Sequence, residues 1–405
     1  MNMTIKGLRI MTNKLLQLVI GLLPILMVLG NSMLIPILPS IEADLHLNSS
    51  WSGFILSSFT IPAAVVIPFV GMLSDRFGRI RLIIVSLWIM ILGSVLCVVS
   101  GEVNEPVSLF MIGRGLQGVG AAGTTPLAMA LIGDIFQGQE RSRMLGSLEV
   151  FNGIGKVVAP LTGATLAILV HWNHAFWVFP VLCVVILIGL RETVETKEGY
   201  HKADKKNLYS IFISKGRLLF PLYAIGGIGL FLLFGILFFL SYHIENTFHI
   251  DGFFKGFTFI FPLGAMTISS YWCGGRLKAD EELGWTYMKC GLLMMSVPLG
   301  FLIFFSSLGF LMFFITVSFG GLGLMLPVIN TFITGSVSEN ERGFIVSIYG
   351  AVRFGGVALG PIAYNLWKDD VLEMYLITFA FSLLNLMLFI LVSKRREGVF
   401  RPKIQ

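Results

Sequence analysis

Long apolar runs separated by short polar breaks are the first pattern in this chain. Twelve runs reach or approach the ~18 residues that mark a candidate membrane helix. They cover roughly 15–38, 50–73, 80–100, 107–133, 142–168, 174–190, 218–242, 253–273, 283–305, 308–335, 341–366 and 373–393. The pattern predicts an all-α polytopic membrane protein with twelve transmembrane helices. The first run is longer than the core of a secretory signal and eleven more follow, so it is expected to stay as a span.

Composition agrees with the pattern and adds an orientation. Charged residues make up 13% of the chain, against about 25% in a soluble domain. Lys and Arg concentrate in alternate breaks: 23 of the 29 fall in the tails and in the 2–3, 4–5, 6–7, 8–9 and 10–11 loops. The remaining loops hold Lys255 and Lys368. By the positive-inside rule both termini are cytoplasmic, in a multi-pass protein of the cell membrane. The net charge of +6 then reflects topology, with the lipid bilayer as partner and no nucleic acid. Four cysteines lie in or at the edge of spans without CxxC spacing, and five of six histidines sit at external edges without ligand spacing. No metal or cofactor site is expected.

The longest polar segment divides the chain into an N-terminal six-helix half (1–190), a cytoplasmic linker (191–217), a C-terminal six-helix half (218–393) and a basic tail (394–405). The two halves align with each other. Pro126 matches Pro327, Glu140-Arg141 matches Glu341-Arg342 and Pro160 matches Pro361, all at a spacing of 201 residues. Gly120 with Gly321 and Gly155 with Gly356 keep the same spacing, which predicts two pseudo-repeat halves.

Charge inside the spans is rare and therefore informative. Glu149 is the one acid deep in a predicted span, about 9 Å in from Arg143 at 1.5 Å per residue. Glu149, Asn152 and Lys156 share a helical face, either as a route for protons and substrate or as a structural ion pair. Lys289 lies near the start of the ninth span, and Arg114, Lys156 and Arg353 are three deeper cations against that one acid, which suits a cargo with negative charge or many acceptor oxygens. Gly155, Ala159 and Gly163 line one close-packing face of helix 5 beside Pro160, and Gly356, Gly360 and Pro361 mirror them in helix 11. These are candidate hinge and seal residues. The loop "GMLSDRFGRIRL" (Gly71–Leu82) packs Asp75, Arg76, Arg79 and Arg81 between two apolar runs, with Gly71 and Gly78 allowing close approach.

That loop resembles the helix 2–3 signature of the major facilitator superfamily. "RGLQGVGAA" (Arg114–Ala122), "GNSMLIPILPSIEADL" (Gly30–Leu45) and "GIGKVVAPLTGA" (Gly153–Ala164) resemble the helix 4, helix 1 and helix 5 patterns of its twelve-helix drug:H+ antiporter branch. The last departs from its pattern at Ala159, Ala164 and Lys156. The resemblance implies the major facilitator fold and a monomeric proton-coupled exporter of small molecules that works by alternating access. It also implies a cytoplasmic latch at Gly71, Asp75, Arg76, Gly78 and Arg79 and a proton-relay role for Arg114, in one motif with Gln117. With Glu149, Asn152, Lys156 and Arg353 from the charge pattern, these two make the candidate proton and substrate pathway.

Multidrug efflux is the first reading of the cargo. Export of one endogenous acidic metabolite, such as a siderophore or other metallophore, is the rival, and import by symport stays open. A non-transporting membrane sensor is the alternative from another class. No P-loop, nucleophile elbow or zincin motif is present, so an enzyme is not expected and energy comes from a gradient.

Overall fold

The computed structural model describes residues 2–5, 8–11, 14–47, 51–103, 106–136, 138–195, 208–277, 281–305, 307–336, 339–367 and 370–393. In hydrocarbon a backbone amide finds no water, so an apolar run of spanning length closes its own hydrogen bonds as a helix. Helix α1 (Lys14–Ser32) ends before a 3-10 turn at Ile35–Ile37, where Pro36 cannot continue the ladder, and α2 (Leu38–Asp44) completes the first run. Then come α3 (Ser52–Phe77), α4 (Arg79–Ser100), α5 (Pro106–Ala121), α6 (Thr125–Ile135) and α7 (Gly138–Leu169). A 3-10 turn at Trp172–Trp177 leads into α8 (Val178–Thr193).

The second set is α9 (Leu208–Phe248), α10 (Gly252–Thr258), α11 (Ile260–Arg276), α12 (Glu281–Phe301), α13 (Leu308–Gly335), α14 (Glu339–Trp367) and α15 (Val371–Ser393). Three short strands, β1 (Asn2–Ile5), β2 (Leu8–Met11) and β3 (Val194–Glu195), pair antiparallel in that order outside the apolar runs.

Among the described residues, ten helical segments are long and apolar enough by length and composition to cross a membrane. The other two expected spans also fold as helices. The 107–133 run is α5 and α6 joined by a turn at 122–124, where Pro126 opens α6. The 283–305 run is α12. Large apolar side chains such as Phe254, Phe304 and Leu366 are exposed, as a lipid-facing surface requires. Helix α9 begins at Leu208, inside the expected linker, because no proline interrupts residues 208–217. Residues 196–207 of that linker and the expected tail 394–405 lie outside the described residues.

The chain divides into two compact units, residues 1–204 with 251–256, and residues 205–250 with 257–405. Within the first unit α1 packs on α7 and α8, α3 on α5, and α4 on α5 and α8. Within the second, α9 packs on α14 and α15, α11 on α13, and α12 on α13 and α15. Counted from the start of each half, the pairing is identical: first with fifth and sixth, second with fourth, third with fourth and sixth.

The seams repeat as well. A Cβ added at Gly93 would lie 2.6 Å from the Gly113 carbonyl oxygen across α4–α5, and one at Gly291 would lie 2.6 Å from that of Gly321 across α12–α13. Only glycine lets these backbones approach so closely. The helix exits match too, since His46 and His249 adopt left-handed φ values of 50° and 54° after the first span of each half. The protein is thus an all-α membrane protein built from two six-helix pseudo-repeats.

Candidate functional site

The 2–3 loop is a single-residue corner. Helix α3 stops at Phe77, α4 starts at Arg79, and Gly78 between them has φ 89° and ψ 143°, a left-handed conformation that a side chain resists. The corner aims Arg79 back across two helix ends. Its guanidinium pairs with Asp134 of α6, and its Nη1 donates to Ser74 Oγ of α3 at 3.0 Å. Ser74 Oγ in turn donates to the Gly71 carbonyl at 2.7 Å. Arg79 therefore ties α3, α4 and α6 of one unit together. Arg76 is exposed beside it, and the side chain of Asp75 lies outside the described residues. Asp134 was not among the residues expected in the latch; its position at the expected cytoplasmic end of span 4 was the available signal.

Deeper in the same unit, Arg114 and Gln117 of α5 are both fully buried. Helix α1 ends at Ser32, which leaves carbonyls of its last turn without helical partners. Arg114 Nη2 donates to one of these, Gly30 O, at 2.8 Å. Its Nη1 donates to Gln117 Oε1 at 2.7 Å, Gln117 Nε2 donates to Ser94 Oγ at 2.8 Å, and Ser94 Oγ donates to Met90 O at 2.7 Å. The guanidinium also lies over the Phe59 ring, 4.7 Å from its centroid. Every acceptor here is neutral, and no carboxylate among the described side chains pairs with Arg114. Arg114 Nε and the nearby Asn31 Oδ1 are buried without a partner among the described residues. Arg114 and Gln117 therefore form one polar chain from α1 through α5 to α4.

Of the expected helix 5 face, the side chain of Glu149 lies outside the described residues. Asn152 is half-buried with its Oδ1 unpartnered among the described residues, and Lys156 is half-buried. Helix α7 packs on α1: Phe151 fills the space over Gly21, and a Cβ added at Gly155 would meet Val28 at an ordinary contact distance of 3.5 Å. The expected hinge and seal glycines make their tight contacts within their own halves. Gly163 faces the Met33 carbonyl, Gly356 the Gly227 carbonyl and Gly360 the Phe231 carbonyl. Ala159 is buried on α7, and Pro160 and Pro361 sit inside α7 and α14.

Arg353 is half-buried on α14, with its guanidinium 5.5 Å from the centroid of the Tyr349 ring. It belongs to the second unit, and Arg114 to the first. Lys255 was expected in an external loop, yet it is 1% exposed. It rides on residues 251–256, which cluster with the first unit. There a Cβ on Gly256 would lie 2.7 Å from Ala164 Cβ and 3.3 Å from the Pro160 carbonyl oxygen. The signal for Lys255 was its setting as a lone cation within "FFKGFTF" (Phe253–Phe259).

At the expected external end of the first unit, histidines meet acids. His171 Nε2 lies 2.9 Å from Asp44 Oδ2, which also accepts from Trp172 Nε1 at 2.7 Å. Asn173 Nδ2 donates to Val98 O at 3.0 Å and to Glu102 Oε1 at 3.1 Å. These bonds fasten the ends of α2 and α4 to the turn before α8. Among the described residues no group of three His, Cys, Asp or Glu side chains could hold a metal ion.

Paired six-helix halves, a buried arginine facing neutral acceptors and a glycine-cornered basic loop all point toward a solute carrier. The sequence matches the family model described as Major Facilitator Superfamily over residues 20–361. The chain belongs to the Major Facilitator Superfamily. Members of this superfamily are membrane transporters of small molecules rather than enzymes. The chain is 34% identical over 387 residues to the Bacillibactin exporter of Bacillus subtilis, covering 92% of this chain and 96% of that protein. It is 26% identical over 358 residues to Multidrug resistance protein 1 of the same organism, covering 84% and 86%. The human organic anion transporter MFSD10 (TETRAN) shares the fold, with a TM-score of 0.71, 16% identity, and coverage of 94% of this chain and 99% of that one.

Proposed function

We propose that this superfamily member is a proton-coupled exporter of the cell membrane that works by alternating access on a cargo bearing acidic or acceptor-rich groups. The observation that carries this reading is Arg114, fully buried and bonded to neutral acceptors alone among the described residues. A buried cation is expensive in a membrane protein and is retained where it meets a partner during function. Arg353 and Lys156 add positive charge to spans in which Glu149 is the one deep acid. The relative that this chain matches over 92% of its length is named for export of bacillibactin, which makes that compound the first cargo to assay. Multidrug efflux is the second reading, favoured by the 26% identical Multidrug resistance protein 1.

The test uses proteoliposomes with an imposed, inside-acid pH gradient. Uptake of bacillibactin that collapses with nigericin, with ethidium transported weakly or not at all, supports the acidic-cargo reading. Gradient-driven uptake of ethidium alone supports multidrug efflux. Uptake of either that ignores the gradient refutes proton coupling.

A further inference from the structure

In the second unit two buried polar atoms four residues apart on α14 have no hydrogen-bond partner among the described residues. Tyr349 is 2% exposed, and among the described residues its hydroxyl has no hydrogen-bond partner. Arg353, four residues later, is half-buried, and its Nε is likewise buried and unpartnered. Residues at i and i+4 share a helix face, so the guanidinium lies 5.5 Å from the centroid of the Tyr349 ring. No carboxylate among the described residues pairs with Arg353.

The surroundings hold this pair in place without satisfying it. Tyr223 of α9 lies against Tyr349, with ring centroids 5.5 Å apart, and spends its own hydroxyl on the Ile345 carbonyl at 2.8 Å. It therefore stiffens the neighbouring ring while leaving the Tyr349 hydroxyl unclaimed. Gly226 makes the space: a Cβ there would collide with the Tyr349 hydroxyl and come within 2.7 Å of Cε2. The Tyr349 hydroxyl and the Arg353 Nε thus lie on one helix face, neither with an acceptor among the described residues. Native proteins leave few buried polar atoms unpaired, and each that remains calls for an explanation, such as a functional role, a water or an ion.

We infer that Tyr349 and Arg353 form an anion-recognition site in the second half, taking a carboxylate or phenolate oxygen of the cargo. One anionic oxygen accepts from both the guanidinium and the phenol, which satisfies both donors and neutralises the span charge. This deepens the acidic-cargo reading and rests on it. It also gives the second half its own contact to cargo, distinct from the Arg114 chain of the first.

The test is ligand binding to the purified full-length protein in nanodiscs, followed by tryptophan fluorescence. The probes are carboxyfluorescein and bacillibactin, with ethidium as the cationic control, and the variants are R353Q, R353K and Y349F. R353Q should weaken binding of both anions by about tenfold or more, since a charge-assisted bond is lost. R353K should recover part of that loss, and ethidium affinity should stay within about twofold of wild type. Y349F guards against a folding artefact, because it deletes a hydroxyl that bonds to no described residue. It should keep or raise the melting temperature while weakening anion binding about threefold to tenfold.

Wild-type protein that binds neither anion overturns the site. So does R353Q or Y349F that binds them as wild type does, or a loss of ethidium affinity equal to the loss for anions. Anion binding that R353Q abolishes, in a protein that transports nothing under a pH gradient, supports the site and refutes the export reading. Gradient-driven transport with anion binding indifferent to both substitutions does the reverse.

Discussion

Arg114 offers a test in which stability and function separate. Replacing it with Met removes two hydrogen bonds, to Gln117 Oε1 and to Gly30 O. Bonds from a charged donor contribute about 1.5–3 kcal/mol each, so the gross loss is about 3–6 kcal/mol. Against this, Met releases the desolvation penalty of a fully buried guanidinium, which is several kcal/mol even after relaxation. The two terms nearly offset, and Met keeps contact with the Phe59 ring through its thioether. R114M should therefore unfold within about 2 kcal/mol of wild type.

R114K keeps the charge but lacks the planar fork that reaches both acceptors, so a buried ammonium is left with a poorer set of partners. R114K should melt below R114M, although Lys is the conservative change. Both variants should lose gradient-driven transport. The assay is thermal unfolding in nanodiscs, followed by intrinsic fluorescence, beside transport in proteoliposomes. If R114M melts far below R114K, the charge itself is stabilising. An anion would then stand next to Arg114, and the neutral-acceptor account would be refuted.

Three further substitutions and one labelling experiment probe other parts of the molecule. Asp134→Asn breaks the pair with Arg79 at a site where Asp134 is 57% exposed, so stability should change by less than about 1 kcal/mol while transport falls. Full transport by correctly inserted D134N would remove the clasp from the cycle. Glu149→Gln should abolish proton-driven transport while cargo exchange down its own gradient survives. If Glu149 only neutralises Lys156, the single mutant should instead express poorly and the double mutant E149Q/K156M should recover both expression and transport. Lys255→Met, at a fully buried position, should retain expression and alter transport; transport at wild-type rate would make Lys255 a packing residue. Cysteine placed at Asn207 should be labelled only from the cytoplasm and at Asp369 only from outside, and labelling of both from one side would overturn the expected orientation.

Apolar run length and the 201-residue repeat were enough to determine the helical class, the duplication and most span boundaries to within a few residues, although α9 starts ten residues before its apolar run. They suffice because a membrane leaves a spanning backbone one economical choice, the helix, and that choice is read from local composition alone. Arg114, Arg353 and the Gly78 corner were likewise visible as rare charge or as glycine where charge crowds, and Gln117 as part of the motif Arg114–Ala122.

What the residues touch was not visible. Asp134 meets Arg79 across 55 residues of chain, Gly30 meets Arg114 across 84 and Ile345 meets Tyr223 across 122. Lys255 read as a loop cation and proved to be buried, because residues 251–256 pack with the first unit rather than with the half that precedes and follows them. Tyr349 carried no sequence signal at all, since a tyrosine in an apolar helix is ordinary. It gains meaning only from an unpartnered hydroxyl beside Arg353. Partners such as these are chosen by helix packing, which depends on side-chain shape across distant segments, whereas a helix depends only on its neighbours in the chain.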